Sequence, residues 1–496
     1  MSLDSSATAD LVARRWRDDI VDQLRRYITI PALSPAFDAD WAETGHLDEA
    51  VEQVRAWMAA RPIRGLTVEV RRPAGRTPLI VAEVAPFAPG REPGPGVGPG
   101  TVPDPAGAPT PTVLLYGHLD KQPEMTGWRD GLGPWTPVIE DGRLYGRGGA
   151  DDGYAAFASC TAIEAVQASG GSHPRLLVLI EASEESGSPV LPAHIEALAD
   201  RLGRVELVVC LDSGCADYER MWLTTSLRGV CGGSLEVDIV GEGLHSGAVS
   251  GLVPSTFRIA RGLLDRVEDV ATGQVRLTTV DVPIPPHRVE EVTAMAAALG
   301  HRPGDGIPLV PGARTTTDDP VEAELAVTWR AALSVVGADG LPPAATAGNV
   351  LRPSTTLRLS LRVPPTGDAA AAVAELGRLL EADPPYGARV RFTDGFSADG
   401  WDSPALAPWL RHALDTAATE VVGRPVHMMG EGGSIPFMGM LAERSPDAQF
   451  VITGVLGPGS NAHGPNEFID LAYAEKLTRV IAVVLDAAAD AGRPVR

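Results

Sequence analysis

Four short, mainly apolar runs, each followed closely by polar residues, constrain the fold of this chain more than any other feature of its sequence. The runs are Val113–Tyr116, Arg175–Ile180, Val205–Leu211 and Phe450–Thr453. Strands with nearly continuous apolar sequence are buried on both faces, which is typical of the parallel sheets of α/β proteins. In open α/β sheets, ligands bind outside the carboxyl ends of the strands. The polar residues that follow these runs are therefore the candidate functional residues.

Carboxylates and histidines cluster at these strand ends. A glycine-rich turn, Leu144–Gly153, adds two adjacent aspartates before a predicted helix, Tyr154–Ala168. An isolated Asp-Asp pair could be a helix N-cap. A helix N-terminus offsets only about 0.3–1 kcal/mol of charge repulsion, so a divalent cation is the more capable partner of two carboxylates. The polar residues collected in this way are His118, Asp120, Asp151, Asp152, Glu184, Glu185, Asp212 and His463.

Five of these side chains form a ligand set that suits a pair of Zn²⁺, Mn²⁺ or Co²⁺ ions, because the set has imidazoles and carboxylates but no thiolate. They are His118, Asp151, Glu185, Asp212 and His463. Such a set can serve two ions if one carboxylate bridges them. Asp120 stands two residues after His118, so it either ligates an ion or orients the imidazole through its other ring nitrogen.

The pattern of the sequence changes after Thr225 and returns near Pro404. Between them, Ser234–Val240 and Thr356–Val363 alternate apolar and polar residues, which is typical of half-exposed strands. We predict an α/β fold, in which a catalytic domain with a mixed, mostly parallel sheet flanked by helices is interrupted by an inserted α+β domain. That domain should form an open-faced sandwich from two strand–helix–strand passes. The predicted ranges are 1–225 and 400–496 for the catalytic domain and 226–399 for the insertion.

A segment rich in proline and glycine, residues 86–111, has neither periodicity nor enough apolar surface to fold alone. We expect a flexible insertion within the first domain. It joins Leu79–Val84 to Val113–Tyr116, and we expect these two strands to be neighbours in the sheet.

Charge and cysteine content exclude several classes of function. The 496-residue chain carries a formal net charge of −22, so neither nucleic acid nor an anionic membrane surface is an expected partner. Its 4 cysteines lack Cys-x-x-Cys spacing, which favours reduced, buried thiols and a cytoplasmic location. We predict no signal peptide and no membrane-spanning segment.

Seven short motifs between residues 117 and 467 contain the polar strand ends. They are Gly117-His-Leu-Asp120, the Gly146-Arg-Gly…Asp151-Asp152 segment, Glu184-Glu-Ser-Gly-Ser188, Leu211-Asp-Ser-Gly214, Leu244-His-Ser-Gly247, Glu431-Gly-Gly-Ser-Ile-Pro436 and Asn461-Ala-His-Gly-Pro-Asn-Glu467. In sequence and order they resemble the metallopeptidase family that includes carnosinases, bacterial dipeptidases, aminoacylases, acetylornithine deacetylase and succinyl-diaminopimelate desuccinylase.

The resemblance implies a role for each matching residue. His118, Asp151 and Asp212 would hold one metal ion, and Asp151, Glu185 and His463 would hold the other. Two Zn²⁺ ions are favoured, with Mn²⁺ or Co²⁺ as alternatives. The general base, which takes a proton from the bridging water and passes it to the leaving amine, would be Glu184. The remaining residue, Asp120, would orient His118.

The resemblance also gives the inserted domain the roles of lid and dimerisation surface. In this family a histidine of that domain reaches the active site of the partner subunit and stabilises the tetrahedral oxyanion, which points to His245. An arginine on the returning strand binds the substrate carboxylate, which points to Arg362, with Asn349 and Ser434 as polar neighbours. A homodimer is therefore expected.

Two segments depart from the family pattern. The family usually continues its Asp-Asp pair with Lys-Gly, whereas Gly153-Tyr154 follow here. Because no ligand is lost, we expect hydrolysis to be retained with an altered wall of the substrate pocket. The Val350–Pro353 segment has one residue more before its proline than the family usually has. The assignment of Asn349 depends on how this segment is matched to the family pattern.

These features predict a dinuclear zinc metallopeptidase that hydrolyses the amide bond of a dipeptide, or of a similar small substrate with a free carboxylate. One alternative is an N-acyl or N-carbamoyl amino-acid amidohydrolase. The other is a relative that keeps the fold but has lost metal and catalysis, and the presence of every ligand and of the base argues against it.

Overall fold

The computed structural model describes residues 3–90, 111–433 and 435–491. The chain divides into two compact units, which are described separately. The first comprises Met1–Thr224, Pro404–Met429 and Met440–Arg496, and the second comprises Thr225–Ser403 and Gly430–Gly439. The division into a catalytic domain, 1–225 and 400–496, and an inserted lid and dimerisation domain, 226–399, stays a prediction.

A six-stranded mixed sheet forms the centre of the first unit. Its strands, in spatial order, are Leu66–Arg71, Leu79–Val84, Arg175–Glu181, Pro111–His118, Arg204–Cys210 and Gln449–Ile452. The last four strands are mutually parallel, and the first two form an antiparallel edge. In the three central strands almost all side chains are buried, as the continuous apolar runs predict. The mostly parallel sheet of the predicted α/β fold is confirmed.

One predicted neighbour relation is wrong. The strand Leu79–Val84 pairs with Arg175–Glu181 and not with Pro111–His118. The insertion 86–111 leads to a strand that is one position further into the sheet than the neighbouring one. Apolar sequence predicts that a strand is buried but carries no information about which buried strands are adjacent. Residues 91–110 of this insertion, and with them its predicted flexibility, lie outside the described residues, and Phe87 before them pairs with His173.

Helices complete the first unit. The helix Tyr154–Ala168 packs on the strand Pro111–His118 and on the closing helix, and every residue from Tyr154 to Gln167 is buried. Small residues dominate its sequence, which allows this close approach on all sides. The helices within this unit are Ser5–Arg15, Trp16–Ile20, Val21–Ile28, Trp41–Thr44, His46–Ala59, Tyr154–Ala168, Leu191–Ala197, Ala199–Leu202, Pro408–Val422 and Leu471–Ala488. A further helix, Pro436–Arg444, has residues 436–439 in the second unit and residues 440–444 in the first.

A small antiparallel sheet of Val138–Glu140, Arg143–Tyr145 and Phe468–Asp470 links two distant parts of the first unit. It brings the glycine-rich turn next to the loop that carries His463. The buried ion pair between Arg147 Nη1 and Glu467 Oε2, at 2.6 Å, closes this junction.

The second unit contains a four-stranded antiparallel sheet in the order Ala332–Asp339, Ser354–Val363, Gly229–Asp238 and Arg389–Ala398. The strand Ser354–Val363 alternates strictly between buried and half-buried residues. Its leucines pack under the helices Thr256–Leu264 and Ala369–Glu381. The predicted open-faced sandwich and its α+β composition match this arrangement, because helices cover one face of the sheet.

Residues 280–319 have no sequence pattern from which their elements could be predicted. The structure has the helix Pro286–Leu299 within this stretch and the helix Pro320–Thr328 directly after it. They pack through Val292, Leu325 and Trp329 into a separate small core. Other elements of this unit are Thr278–Val280, Leu244–His245, Ser246–Val249, Ala344–Thr346, Val350–Leu351, Pro385–Gly387 and Trp401–Asp402.

All 4 cysteines are buried and reduced, as predicted. Within the described residues, the structure has no helix that is both long enough and apolar enough to cross a membrane.

Candidate metal centre

The parallel sheet brings the polar strand ends of the first unit together. His118 is the last residue of its strand and pairs with Glu181, the last residue of the neighbouring strand. Three residues after Glu181, the chain forms the single helical turn Glu184–Ser186. Asp212 follows the strand on the other side of His118. Because parallel strands end at one edge of the sheet, these side chains converge there.

Two ligand clusters share one carboxylate. His118, Asp151 and Asp212 form the first cluster, and Asp151, Glu185 and His463 form the second. Within each cluster, one possible ligand atom per residue lies within 4.8 Å of the others. In the first, His118 Nε2 lies 3.1 Å from Asp151 Oδ1 and 3.7 Å from Asp212 Oδ1. In the second, His463 Nε2 lies 3.0 Å from Asp151 Oδ2 and 3.2 Å from Glu185 Oε2. Asp151 therefore offers a different oxygen to each cluster.

Burial makes the charges of this cluster interact strongly. Burial and the charge of Asp212 raise the pKa of Glu184 well above its ordinary value. Burial and Asp151 do the same, to a smaller degree, for Glu185. Although burial opposes it, hydrogen bonding to Asp151 raises the pKa of His463 to about 10. The cluster thus attracts positive charge.

The donor set fits two divalent cations. Each cluster contains an imidazole and two carboxylates, the tetrahedral or octahedral oxygen and nitrogen set that Zn²⁺, Mn²⁺ and Co²⁺ accept. His118 Nδ1 lies 3.1 Å from the carbonyl oxygen of Asp120 and donates to it when it carries the proton. That hydrogen bond selects the tautomer in which Nε2 is free to bind a metal.

Asp120 organises both sides of the site. Its carboxylate accepts hydrogen bonds from the backbone N–H groups of Glu184 and Glu185, both at 3.0 Å. The carboxylate lies 3.6 Å from His118 Nδ1, further than the Asp120 carbonyl oxygen. His118 Nδ1 thus faces the backbone carbonyl of Asp120, while the Asp120 side chain holds the turn that carries Glu184. That Asp120 orients His118 stays a prediction.

Glu184 differs from its neighbour in its contacts. Its backbone is fixed by Asp120, but among the described residues no hydrogen bond or ion pair engages its carboxylate. Glu185, by contrast, contacts His463 and Gln122. A partly buried carboxyl group with no partner of its own is available for proton transfer.

The other predicted site residues belong to the second unit. His245 is exposed and ends a two-residue strand that pairs with Val350–Leu351. Asn349 is exposed, and its carbonyl oxygen accepts a hydrogen bond from the N–H of Ser246 at 2.9 Å. Arg362 lies half-buried on the open face of the four-stranded sheet. Ser434 lies outside the described residues.

Arg362 is an unpaired cation among the described residues, where no carboxylate lies within ion-pair distance of it. Arg228 directly precedes the adjacent strand. Arg362 pairs with Val230 of that strand, and Arg228, two residues before Val230, lies on the same face of the sheet. The Arg228 guanidinium donates to the carbonyl oxygens of Ala326, Arg330 and Gly432 at 3.2–3.3 Å. Burial and the charge of Arg362 lower the pKa of Arg228 to about 10. The face therefore attracts an anion.

Two contributors to the site were not predicted from the sequence. Gln122 Nε2 donates to Glu185 Oε2 at 2.6 Å, and Arg147 pairs with Glu467. Buried Asp152, a candidate to which the sequence assigned no role, accepts from the N–H of His118 at 3.4 Å. Gln122 and Arg147 lie within four residues of predicted ligands. That proximity is the only signal the sequence offered, because their partners are distant in the chain.

Comparison with known proteins identifies relatives over most of the chain. The cysteinylglycine-S-conjugate dipeptidase of Corynebacterium striatum is 29% identical over 372 residues, which cover 73% of this chain and 77% of that protein. The Beta-Ala-His dipeptidase of Homo sapiens is 25% identical over 432 residues, which cover 80% of this chain and 82% of that protein.

Solved structures share the fold. The di-peptidase Dug1p from Saccharomyces cerevisiae has a TM-score of 0.74 at 20% identity, over 99% of this chain and 100% of that one. Human carnosine dipeptidase 1 has a TM-score of 0.72 at 21% identity, over 98% of this chain and 100% of that one.

Residues 114–487 match the sequence profile of Peptidase family M20/M25/M40. This range contains all five predicted ligands and extends over more than half of the chain. The predicted family resemblance is confirmed: the chain belongs to Peptidase family M20/M25/M40, a family of dinuclear metallopeptidases.

Proposed function

We propose that this metallopeptidase is a dipeptidase, which hydrolyses the amide bond of a dipeptide whose C-terminal residue carries a free carboxylate. The observation that carries the proposal is the pair of ligand clusters joined by Asp151, with the unpartnered carboxyl group of Glu184 on the same turn as Glu185. Relatives named as dipeptidases match along most of the chain, which supports this substrate class.

The two clusters would hold two divalent ions, with Asp151 as the shared ligand. Zn²⁺ is the proposed metal, because imidazole and carboxylate ligands without thiolate suit it, and Mn²⁺ and Co²⁺ are the alternatives. When bound, such ions polarise the substrate carbonyl and lower the pKa of water toward 7.

The protein's own residues would then move the proton. Glu184 accepts it from the attacking water on a carboxylate oxygen and donates it to the leaving amine nitrogen, so the amine departs neutral. Asp120 holds the backbone of Glu184 through the N–H contact at 3.0 Å. This contact limits the positions the base can take during both transfers.

Substrate binding would rely on residues of the second unit. Arg362 offers a planar fork of N–H donors that suits a carboxylate, and the nearby charge of Arg228 adds to the attraction. Asn349 and Ser434 are proposed as polar neighbours of this group.

His245 is proposed to stabilise the oxyanion in the active site of the partner subunit, which makes the functional unit a homodimer formed through the second unit. Exposure of His245 on a short loop strand is compatible with contact to another chain. A cytoplasmic location is also proposed, because four buried, reduced thiols suit a reducing compartment.

A substrate panel tests the proposal. Purified protein is loaded with Zn²⁺ or Mn²⁺ and offered dipeptides, the same dipeptides with C-terminal amides, N-acetyl and N-succinyl amino acids, and N-carbamoyl amino acids. The dipeptidase proposal requires the free dipeptides to have the highest kcat/KM.

The alternative has support of its own, because succinyl-diaminopimelate desuccinylases match shorter parts of the chain, one at 32% identity over 135 residues. Faster cleavage of N-acyl or N-carbamoyl amino acids than of every dipeptide would replace the dipeptidase proposal with a deacylase. No hydrolysis of any substrate by protein that carries two ions would contradict both.

A further inference from the structure

Gln122 makes a contact with a proposed metal ligand that no role in the reaction yet explains. Its side-chain Nε2 lies 2.6 Å from Glu185 Oε2. Only the nitrogen of an amide can donate to a carboxylate, so this contact fixes the orientation of the Gln122 amide. The contact joins the loop after His118 to the turn that carries both glutamates.

The loop side of this contact is rigid. The N–H of Lys121, next to Gln122, donates to Ala32 O at 3.0 Å, and its carbonyl oxygen accepts from Ser34 N–H at 3.0 Å. The Lys121 side chain is fully buried, and its Nζ donates to Tyr27 O and Ile30 O, both at 2.8 Å. Gln122 therefore projects from a backbone that is held from three directions.

The glutamate side is held independently. Asp120 binds the backbone N–H of Glu185 at 3.0 Å. One residue on, Ser186 Oγ contacts Ser34 Oγ at 2.5 Å and accepts from Ala36 N–H at 2.9 Å. With both backbones fixed, the bond from Gln122 controls the one part of Glu185 that is still free to rotate, its carboxylate.

Control of this rotation matters because carboxylates crowd the second cluster. Asp151 Oδ2 and Glu185 Oε2 approach the same nitrogen, His463 Nε2, at 3.0 and 3.2 Å. Like charges at this separation repel, so an unrestrained glutamate would turn away from Asp151. An amide donor restrains it without adding a positive charge that would compete with a metal ion.

We propose that Gln122 is a positioning residue that holds the Glu185 carboxylate toward Asp151 and His463, and thereby sets the affinity of the second metal site. The inference rests on the proposed two-ion function. It assigns Gln122 no contact with substrate and predicts an effect on one of the two ions only.

The test is metal retention in Gln122→Met, which keeps the length of the side chain and removes the donor. Zn²⁺ dissociation constants are measured by competition with a chromophoric chelator. One of the two constants should rise by about 10–100-fold, the usual effect of losing a partner of a metal ligand, while the other stays unchanged. At saturating Zn²⁺, kcat should return close to the wild-type value.

Three further variants identify the affected site. His463→Ala lacks a ligand of the second cluster only, so combining it with Gln122→Met should cause no further loss of metal. Asp212→Asn lacks a ligand of the first cluster, and the corresponding double variant should lose both ions. Gln122→Asn keeps the donor but is one methylene shorter, and it should weaken the binding of the same ion as Gln122→Met does. This variant serves as the test if Gln122→Met does not fold.

Gln53→Met is the matched control, because Gln53 Nε2 donates to Gln23 O at 2.9 Å in a similarly half-buried setting away from the site. Unchanged dissociation constants in Gln122→Met, or an equal rise of the dissociation constants of both ions, would overturn the inference. Wild-type protein that fails to bind two ions would instead contradict the proposed function itself.

Discussion

At the scale of single residues, Glu184 and Glu185 are adjacent in sequence but differ in their contacts. Glu185 reaches His463, whereas the Glu184 carboxylate has no partner among the described residues. Glu184→Gln should therefore retain both metal ions while kcat falls by about 10²-fold or more, as expected when a general base is removed. Metal content and kcat measured on the same preparation check this. Loss of an ion from Glu184→Gln would show that Glu184 is a ligand.

A second single residue, His173, should make folding stability depend on pH. Its Nδ1 donates to Pro174 O at 2.7 Å, and its Nε2 accepts from Gln167 Nε2 at 3.0 Å. The Gln167 amide cannot reverse its direction, because its Oε1 accepts from Arg64 N–H at 2.8 Å and its Nε2 also donates to Arg64 O at 3.1 Å. If His173 were protonated, its Nε2–H would point at the N–H of Gln167, and neither donor would have an acceptor there.

Burial lowers the pKa of His173 to about 4, against about 6.5 in the unfolded chain. Between these values the unfolded chain binds a proton that the folded chain does not. The stabilisation is therefore complete above pH 6.5 and is lost as the pH falls toward 4, by at most about 3 kcal/mol. Denaturant unfolding of wild type and His173→Gln at pH 7.5 and 4.5 measures this. The variant should lose less stability on acidification, and equal losses would contradict the assignment.

At the scale of one element, the strand Ser354–Val363 provides a matched pair of arginines. Arg358 bonds to Ser234 Oγ at 3.1 Å and Asp394 O at 3.2 Å, whereas Arg362 on the same face has no carboxylate partner among the described residues. Arg362→Met should reduce kcat/KM for free-acid dipeptides by about 10²-fold, the value of a charge-assisted hydrogen bond of about 2–3 kcal/mol. The C-terminal amides should be little affected, and Arg358→Met should affect both substrate types alike. Equal damage by Arg362→Met to acids and amides would assign it a structural role.

Elements also show how far the sequence determines the fold. The buried strands and the helix Tyr154–Ala168 could be predicted within one or two residues, because continuous burial leaves an unambiguous apolar pattern. The strand Ala332–Asp339 could not be predicted, because it lies at the sheet edge and every one of its residues is half-buried or exposed. The two clusters of candidate ligands could be predicted from the sequence, but the contact of Gln122 with Glu185 could not, because it joins residues 63 positions apart.

At the scale of the whole molecule, the proposed homodimer predicts complementation between two inactive proteins. If His245 acts in the partner's site, each site combines Glu184 of one chain with His245 of the other. Homodimers of Glu184→Gln or of His245→Ala should then be nearly inactive. After equal mixing and subunit exchange, half of the dimers are mixed, and one of the two sites in each has both residues intact. Activity should recover to about a quarter of the wild-type value, since pairing in a twofold dimer is random.

The control for this recovery is a mixture of Glu184→Gln with the double variant that carries both substitutions. Exchange between these chains creates no intact site, so its activity should stay at the level of the single variants. Subunit exchange is followed separately by co-purification of differently tagged chains. Exchange without recovery in the first mixture would place the action of His245 within its own chain or remove it from the reaction. Recovery in both mixtures would show that dimer exchange alone restores activity, which a composite site does not allow.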